Sequence, residues 1–270
     1  MSIKMSSIPF IDSYEDIRAE MKNDLLYRLA SRDRITSLGR PLYYRINVQL
    51  IMTEECPFQC PFCLERQNPM AGENDFSAQI ESLKKVLSEH PDARLTVTGG
   101  EPGLYPRHVE DVVDTYRSNS NGVFCSINTA GYSTDLNGMA HINLSYNEFV
   151  RKNPDKFPGC TVQTVLENPT VERIKEFMKM NADSFSFRFL SGLDKKEYPV
   201  NVWNELQQDV AIDIGTFRIG DFFAYATFNY AGKHARVTLG DMWQQKHNDY
   251  KDGYSNIIIH PDGLITTNWR

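Results

Sequence analysis

Three cysteines lie close together in the sequence and are the residues most able to do chemistry. They occupy the segment Cys56-Pro-Phe-Gln-Cys60-Pro-Phe-Cys63, whereas the other two of the five cysteines, Cys125 and Cys160, stand alone. An odd number of cysteines in this arrangement does not suit a disulfide framework. Clustered thiols are typical ligands of a metal centre, and the candidates are zinc and an iron–sulfur cluster.

The fourth ligand separates these two candidates. A structural zinc ion takes four protein ligands, but no second cysteine or histidine pair lies nearby, because His90 and His108 are isolated in the sequence. A [4Fe–4S] cluster held by three thiolates leaves one iron open to a small chelating molecule. We therefore favour the iron–sulfur cluster over zinc. The alternative without chemistry is three free thiols packed in a loop.

A second motif follows one predicted helix later. Residues 95–102 read Leu-Thr-Val-Thr-Gly-Gly-Glu-Pro, a strand pattern that ends in two glycines, an acid and a proline. Paired glycines at the carboxyl end of a strand let a ligand approach the backbone closely, and the proline fixes the exit. Because one βα unit separates the two motifs, we expect them at the same end of a parallel sheet and in one shared site.

Together, the pattern Cys-x3-Cys-x-aromatic-Cys and the segment Gly99-Gly100-Glu101-Pro102 resemble the radical S-adenosylmethionine (SAM) superfamily. The resemblance implies that the three clustered cysteines hold a [4Fe–4S] cluster and that Phe62 lies near the adenine of SAM. It also implies that the Gly-Gly-Glu-Pro segment binds the methionyl amino group, while the amino and carboxylate groups of SAM occupy the open iron.

The resemblance also implies a reaction. In this superfamily the reduced cluster transfers one electron to SAM, which breaks into methionine and a 5′-deoxyadenosyl radical that removes hydrogen from a carbon–hydrogen bond. Such chemistry requires a low-potential cluster and a site that excludes water. We therefore expect two cofactors, a [4Fe–4S] cluster and SAM, and an external low-potential electron donor of the flavodoxin or ferredoxin type.

Strands and helices alternate along the chain, as in a parallel sheet built from βα units. Six units are too few for a closed eight-stranded barrel, so the predicted fold class is α/β, a partial (β/α)6 barrel of TIM type. The predicted strands are 43–52, 93–98, 122–128, 141–146, 160–166 and 183–190. The predicted helices are 76–89, 106–118, 134–139, 147–153 and 170–180, preceded by an amphipathic helix over 13–30.

The predicted strands alternate between apolar and polar residues, whereas a buried parallel sheet is apolar on both faces. Val48 and Leu50 oppose Asn47 and Gln49, and the strands at 141–146 and 183–190 alternate in the same way. We infer that the apolar face meets the helices and that the polar face lines a partly open barrel around a polar ligand. A half-exposed antiparallel sheet would alternate too, but the links are mostly long enough for parallel crossovers.

After residue 200 the pattern changes to strands joined by turns. Residues 222–230 and 233–239 flank Ala231-Gly232, and residues 257–260 and 264–267 flank a Pro-Asp-Gly turn. These turns predict two hairpins that form a small C-terminal cap.

The second hairpin is similar to the segment that precedes auxiliary-cluster cysteines in the molybdenum-cofactor and SPASM or twitch branches of the superfamily. No cysteine follows it here, so we expect kinship with that lineage but no second cluster. The predicted domains are an N-terminal helical extension over 1–40, a partial-barrel core over 41–200 and a β-rich cap over 201–270.

Polar residues at the predicted carboxyl ends of strands complete the candidate site, because barrel ligands bind there. By the resemblance, Asn128, Ser145 and Arg188 contact the ribose and carboxylate of SAM, and Arg188 is the strongest of them because it lies between two phenylalanines. Gln163 and Glu167 are weaker candidates for SAM or substrate contacts. For each residue the plain alternative is a polar side chain that satisfies local backbone groups.

The two isolated cysteines raise the question of a hydrogen donor, since some radical SAM epimerases return hydrogen from a lone thiol. Cys125 shares its strand face with Ile127, and Cys160 shares its face with Val162. We therefore expect both thiols in the helix-facing core, where neither reaches a substrate radical.

Composition narrows the range of functions. The 270 residues include 29 Lys and Arg against 35 Asp and Glu, a formal charge of −6, which disfavours a nucleic-acid binder. No apolar run reaches the roughly 18 residues of a membrane span, and the first residues lack the apolar stretch of a secretory signal. We therefore expect a cytoplasmic protein with no membrane association.

The function predicted from the sequence is that of a radical SAM enzyme acting on a small polar metabolite, such as a nucleoside, a sugar or a natural-product intermediate. One alternative is a radical SAM enzyme that modifies a peptide, which the missing auxiliary cysteines disfavour. The alternative outside the enzyme class is a metal-stabilised binding protein without catalysis.

Overall fold

The computed structural model describes residues 46–60, 63, 73–122, 124–166, 170–189, 198–219, 224–240 and 256–267. The predicted N-terminal helix over 13–30, and with it the whole 1–40 extension, lies outside these residues. Phe62 and Glu167 lie outside them as well.

Helices and strands alternate in the described residues as the sequence predicts. In chain order the elements are β1 (Asn47–Ile51), α1 (Phe76–Glu89), β2 (Arg94–Thr98), α2 (Pro106–Asn119), β3 (Cys125–Thr129), β4 (His141–Ser145), α3 (Glu148–Lys152), β5 (Thr161–Leu166), α4 (Val171–Phe177), β6 (Ser184–Phe189), α5 (Tyr198–Gln208), β7 (Asp213–Ile219), β8 (Ala224–Tyr230), β9 (Lys233–Gly240), β10 (Asn256–Ile259) and β11 (Ile265–Thr266). Single 3-10 turns cover Pro102–Leu104, Thr134–Leu136 and Pro154–Lys156. The helix predicted over 134–139 is therefore only a 3-10 turn.

The chain forms two compact units, one from residues 44–160 with 254–270 and the other within 161–253. We call them the first and the second unit. The domain boundaries predicted at residues 40 and 200 stay a prediction.

The first unit contains six neighbouring strands in the order β11-β10-β1-β2-β3-β4, which we call the first sheet. All neighbouring strands from β10 to β4 pair in parallel, and only β11 is antiparallel. The predicted hairpin around Pro261-Asp262-Gly263 therefore forms, and its first strand extends the parallel sheet beside β1.

Side chains along the strands of this sheet alternate between buried apolar residues and half-buried polar residues, as the sequence predicts. Val48, Leu50, Leu95, Val97 and Leu144 are fully buried, together with apolar residues of α1 and α2. The residues between them are polar and mostly half-buried. Burial of the apolar face drives the packing of the helices, which leaves a face of amide and hydroxyl groups on the other side.

Local sequence explains where the helices of this unit begin. The Asp75 side chain accepts a hydrogen bond of 2.9 Å from the Ala78 backbone and caps α1, and Pro106 occupies the first turn of α2. Asn147 caps α3 by accepting a hydrogen bond of 2.9 Å from Val150. Side-chain caps and an initial proline satisfy or remove the orphan N–H groups of a first helical turn.

The second unit contains strands in the order β5-β6-β9-β8-β7. β5, β6 and β9 pair in parallel, whereas β9, β8 and β7 pair antiparallel. The hairpin predicted around Ala231-Gly232 is present as β8 and β9, and β9 joins the parallel strand β6.

Two elements of the second unit, α5 and β7, are missing from the sequence prediction. The helical signal is short: Val202 and Leu206, spaced by four residues, are the apolar positions that become fully buried. Pro199 in the first turn is the other signal for a helix here.

The fold class predicted from the sequence is confirmed. The described residues form an α/β fold with mostly parallel strands and an open sheet, as in a partial barrel. No helix in these residues is long and apolar enough to cross a membrane.

Candidate active site

The cysteine loop follows β1 in the first unit. Cys56 and Cys60 are exposed and Cys63 is half-buried, and the Cys63 backbone N–H donates a 3.2 Å hydrogen bond to the Cys60 carbonyl. Although Cys56 is exposed as a residue, partial desolvation of its thiol raises the pKa, and the negative charges of Glu101, Cys60 and Cys63 raise it further. Three thiols and one carboxylate therefore lie within electrostatic reach of one another.

The Gly99-Gly100 turn packs against this loop. Both glycines have positive φ, at 75° and 48°. A Cβ on Gly99 would clash with the side chain of Ile51, and one on Gly100 would lie 2.5 Å from the carbonyl oxygens of Thr53 and Glu55. From the sequence, we expected the two glycines to leave room for a ligand. In the structure, the backbone that leads to Cys56 lies close to Gly100.

Glu101 joins both motifs and is almost completely buried. Its backbone N–H donates a 2.8 Å hydrogen bond to the Glu55 carbonyl, one residue before Cys56. Its carboxylate accepts hydrogen bonds from the backbone of Gly103 at 2.8 Å and of Ala130 at 2.7 Å, and from the Thr129 hydroxyl. The side chain is therefore occupied in holding the end of β2 to the end of β3, while the backbone holds the cysteine loop.

A second layer of polar residues supports the loop, and the sequence analysis missed it. Asn74 donates a 3.1 Å hydrogen bond to the Thr53 hydroxyl, which also accepts from the Glu55 backbone at 3.0 Å. Burial raises the pKa of Tyr105, and its hydrogen bond to the Glu55 carboxylate raises it further. No motif marks Asn74 and Tyr105, because their contacts to Thr53 and Glu55 join residues that are 21 and 50 positions apart in the chain.

Gln79 fixes the strand that enters the loop. This fully buried side chain donates from Nε2 to the carbonyl oxygens of Ile51 at 2.7 Å, His260 at 3.1 Å and Met52 at 3.4 Å. Its Oε1 lies 2.9 Å from Nε2 of His108, whose ring stacks on Phe76 with centroids 4.1 Å apart. The Gln79 side chain thereby links the carboxyl end of β1 to that of β10.

Asn128 and Ser145 lie where the sequence predicts, at the carboxyl half of β3 and the end of β4. Asn128 donates a 3.4 Å hydrogen bond to the Thr98 hydroxyl and accepts one of 2.9 Å from Asn143. Ser145 is exposed. Both lie in the first unit, as do the two motifs, and their contacts to SAM stay a prediction.

Arg188 lies in the second unit on β6 and is exposed, although the preceding residue, Phe187, is fully buried. Gln163 lies half-buried on β5, paired with Ser186. The roles predicted for Arg188 and Gln163 stay predictions.

The two isolated cysteines are at least partly buried. Cys160 is buried and Cys125 is half-buried, and burial raises the pKa of the Cys125 thiol to about 12. A thiol with so high a pKa stays protonated near neutral pH and is a poor nucleophile and metal ligand.

In the part of the chain that the structure describes, no group of three or more His, Cys, Asp or Glu side chains is arranged to hold a metal ion. The donor set of the cysteine loop nevertheless fits an iron–sulfur cluster. Its three thiols are close enough for Cys60 and Cys63 to raise the pKa of Cys56, and thiolates are the ligands that such clusters take. A bound cation would also relieve the mutual repulsion of these thiolates.

Comparison with known proteins is consistent with this site. No family model matches the chain. It is 24% identical over 254 residues to GTP 3′,8-cyclase of Psychromonas ingrahamii, covering 87% of this chain and 71% of that protein. It is also 24% identical over 245 residues to GTP 3′,8-cyclase of Shewanella denitrificans, covering 84% and 69%.

Among solved structures, the chain resembles SuiB of Streptococcus suis bound to the precursor peptide SuiA. The TM-score is 0.51 at 14% identity, and the match covers 93% of this chain and 71% of SuiB. This likeness supports the fold.

The open, mostly parallel sheet and the cysteine loop docked on a Gly-Gly-Glu-Pro turn are the features expected of an iron–sulfur, SAM-dependent enzyme. Its two motifs and its curated relatives support the radical SAM superfamily. Its cofactors are accordingly a [4Fe–4S] cluster and SAM.

Proposed function

We propose that this radical SAM enzyme acts on a small polar metabolite, such as a nucleoside, a sugar or a natural-product intermediate. In this proposal Cys56, Cys60 and Cys63 hold the [4Fe–4S] cluster. The observation that carries it is the docking of the Gly99-Gly100 turn on the backbone before Cys56, which brings both motifs together.

When bound, the cluster supplies the electron that cleaves SAM and so starts radical chemistry. The residues around it have positioning roles in this proposal. The Gly99–Pro102 segment, held by its contacts to Glu55 and Thr129, receives the methionyl amino group. Phe62, Asn128, Ser145 and Arg188 contact the remainder of SAM, as the family resemblance implies.

The polar face of the first sheet supports a small polar substrate. Gln49, Thr96, Thr98, Asn128 and Asn143 present amide and hydroxyl groups, and all five are half-buried. Such groups fix the orientation of a polar ligand by hydrogen bonding. The relatives named for a reaction of GTP support a nucleoside-like substrate in particular.

Anaerobic reconstitution tests the proposal. The wild-type chain should bind about four irons and, once reduced, should cleave SAM to methionine and 5′-deoxyadenosine. A panel of nucleosides, nucleotides and sugars should then contain compounds that accelerate this cleavage and transfer deuterium from the labelled substrate to 5′-deoxyadenosine. Cys60→Ala is the inactive control, and iron binding without SAM cleavage would favour a non-catalytic metal protein.

A peptide substrate is the second candidate, because the fold resembles SuiB in a complex with its precursor peptide. The same assay separates the two candidates when short peptides are added to the panel. Acceleration by peptides alone would replace the small metabolite with a peptide.

The electron donor proposed for this enzyme is an external low-potential protein of the flavodoxin or ferredoxin type. The exposure of Cys56 and Cys60 supports transfer from outside. We also propose a cytoplasmic location, because clustered free thiols persist in a reducing compartment.

A further inference from the structure

The register of the first sheet arranges its polar residues in rows. One row contains Gln49, Thr96 and Ser126, and the next contains Thr98, Asn128 and Asn143. The amino end of the same face carries Arg94, which pairs with Asn47. Because residues two apart along a strand point to one face, these rows form a continuous polar surface.

Only some of the amide groups on this surface form hydrogen bonds with described residues of the protein. Asn128 is bonded on both sides, to Thr98 and to Asn143. In the described part of the chain, the side chain of Gln49 makes no hydrogen bond and Oδ1 of Asn143 accepts none, although both residues are half-buried. Sheltered polar groups are normally hydrogen-bonded, so these two amides are available to a ligand.

Arg94 is the exceptional residue of the surface. Its Nε is buried and has no hydrogen-bond partner, and its guanidinium forms no ion pair with a described residue. A half-buried guanidinium without an acidic partner is unfavourable, because burial removes water from the charge. Its planar donors match the oxygen atoms of a phosphate or a carboxylate.

We propose that this polar surface binds the substrate and that Arg94 is its anion subsite. The inference rests on the proposed function and adds a substrate class: a small molecule with a hydroxyl-rich or amide-rich body and a phosphate or carboxylate group. Arg94 and Thr98 lie four residues apart on β2, about 13 Å along the strand. A ligand that reaches both rows therefore has the size of a sugar phosphate or a nucleotide.

Binding to the reconstituted full-length enzyme tests the subsite with three probes: ribose 5-phosphate, gluconate and neutral ribose. We expect at least one anionic probe to bind roughly tenfold or more tightly than ribose, as a charge-assisted hydrogen bond provides. Arg94→Gln should reduce that preference to nearly one, and Arg94→Lys should keep part of it. Which anionic probe binds identifies phosphate or carboxylate as the natural group.

Arg107→Gln is the matched control, since Arg107 is exposed on α2 and outside this surface. It should bind all probes like the wild type. Absence of any anion preference in the wild type, or an equal loss in Arg107→Gln, overturns the subsite.

SAM cleavage without added substrate separates this inference from the proposed function. A wild-type enzyme that fails to cleave SAM contradicts the proposed function. One that cleaves SAM but binds anionic and neutral probes equally contradicts only the role of Arg94.

Discussion

The backbone N–H of Glu101 donates a 2.8 Å hydrogen bond to the carbonyl oxygen of Glu55, the residue before Cys56. A backbone hydrogen bond thus joins the Gly-Gly-Glu-Pro turn to the cysteine loop, two motifs that are separate in the sequence. Because Gly100 packs on the same carbonyl, a change in the turn at 99–101 is transmitted to the cysteine loop.

The first prediction concerns the five cysteines. Single alanine substitutions of Cys56, Cys60 and Cys63 should each remove the cluster, because three thiolates leave no ligand to spare. Cys125→Ala and Cys160→Ala should keep full iron content and product formation and lose only modest stability. Iron analysis and visible absorbance check this, and a full cluster in Cys60→Ala would refute the assignment.

The second prediction concerns Gly100. In Gly100→Val the Cβ would lie 2.5 Å from two carbonyl oxygens of the cysteine loop, so we expect loss of the cluster together with SAM binding. Gly138→Val is the matched control, because Gly138 also has positive φ, 82°, but a Cβ there meets nothing within 4 Å. Iron content of both folded variants is the measurement, and equal iron in the two would contradict the docking argument.

A third prediction concerns the carboxylate of Glu101. Glu101→Gln would turn an amide N–H towards groups that themselves donate, so a buried donor would lose its acceptor. We expect the free energy of unfolding to fall by about 2 kcal/mol, with weaker cluster binding. Glu110→Gln on the exposed side of α2 should change neither, and chemical denaturation of both variants measures the difference.

The fourth prediction concerns pH. Burial lowers the pKa of His108, which its neighbour Asp111 only partly offsets. The unfolded chain therefore protonates this ring more readily than the folded chain does. The contribution of the neutral ring to the free energy of unfolding is full above about pH 6.5 and decreases as the pH falls below that value. Denaturation between pH 7 and pH 5 should show a smaller loss in His108→Gln than in the wild type.

The control for this measurement is His234→Gln, because that ring is exposed. Burial also lowers the pKa of His141, so part of the acid sensitivity should persist in His108→Gln. An unchanged pH dependence in His108→Gln would show that the ring does not titrate with folding.

Much of the fold could be predicted because local signals are strong. Alternation at β1 and β4 assigned the buried and polar faces correctly, since a strand residue can point only to one face or the other. The turns at Ala231-Gly232 and Pro261-Asp262-Gly263 likewise marked both hairpins. Among the described side chains of α5, only two apolar positions, Val202 and Leu206, become fully buried. This helical pattern is too short to recognise in the sequence, and the helix was missed.

The sequence by itself determined the chemistry: three thiols at fixed spacing, a Gly-Gly-Glu-Pro turn, and the strands that carry them. Only the tertiary structure decided what holds them in place. Gln79 binds carbonyl groups up to 181 residues away, and the Glu101 carboxylate reaches the end of β3. Such contacts depend on which strand ends meet in the folded sheet, and no local pattern of residues encodes that meeting.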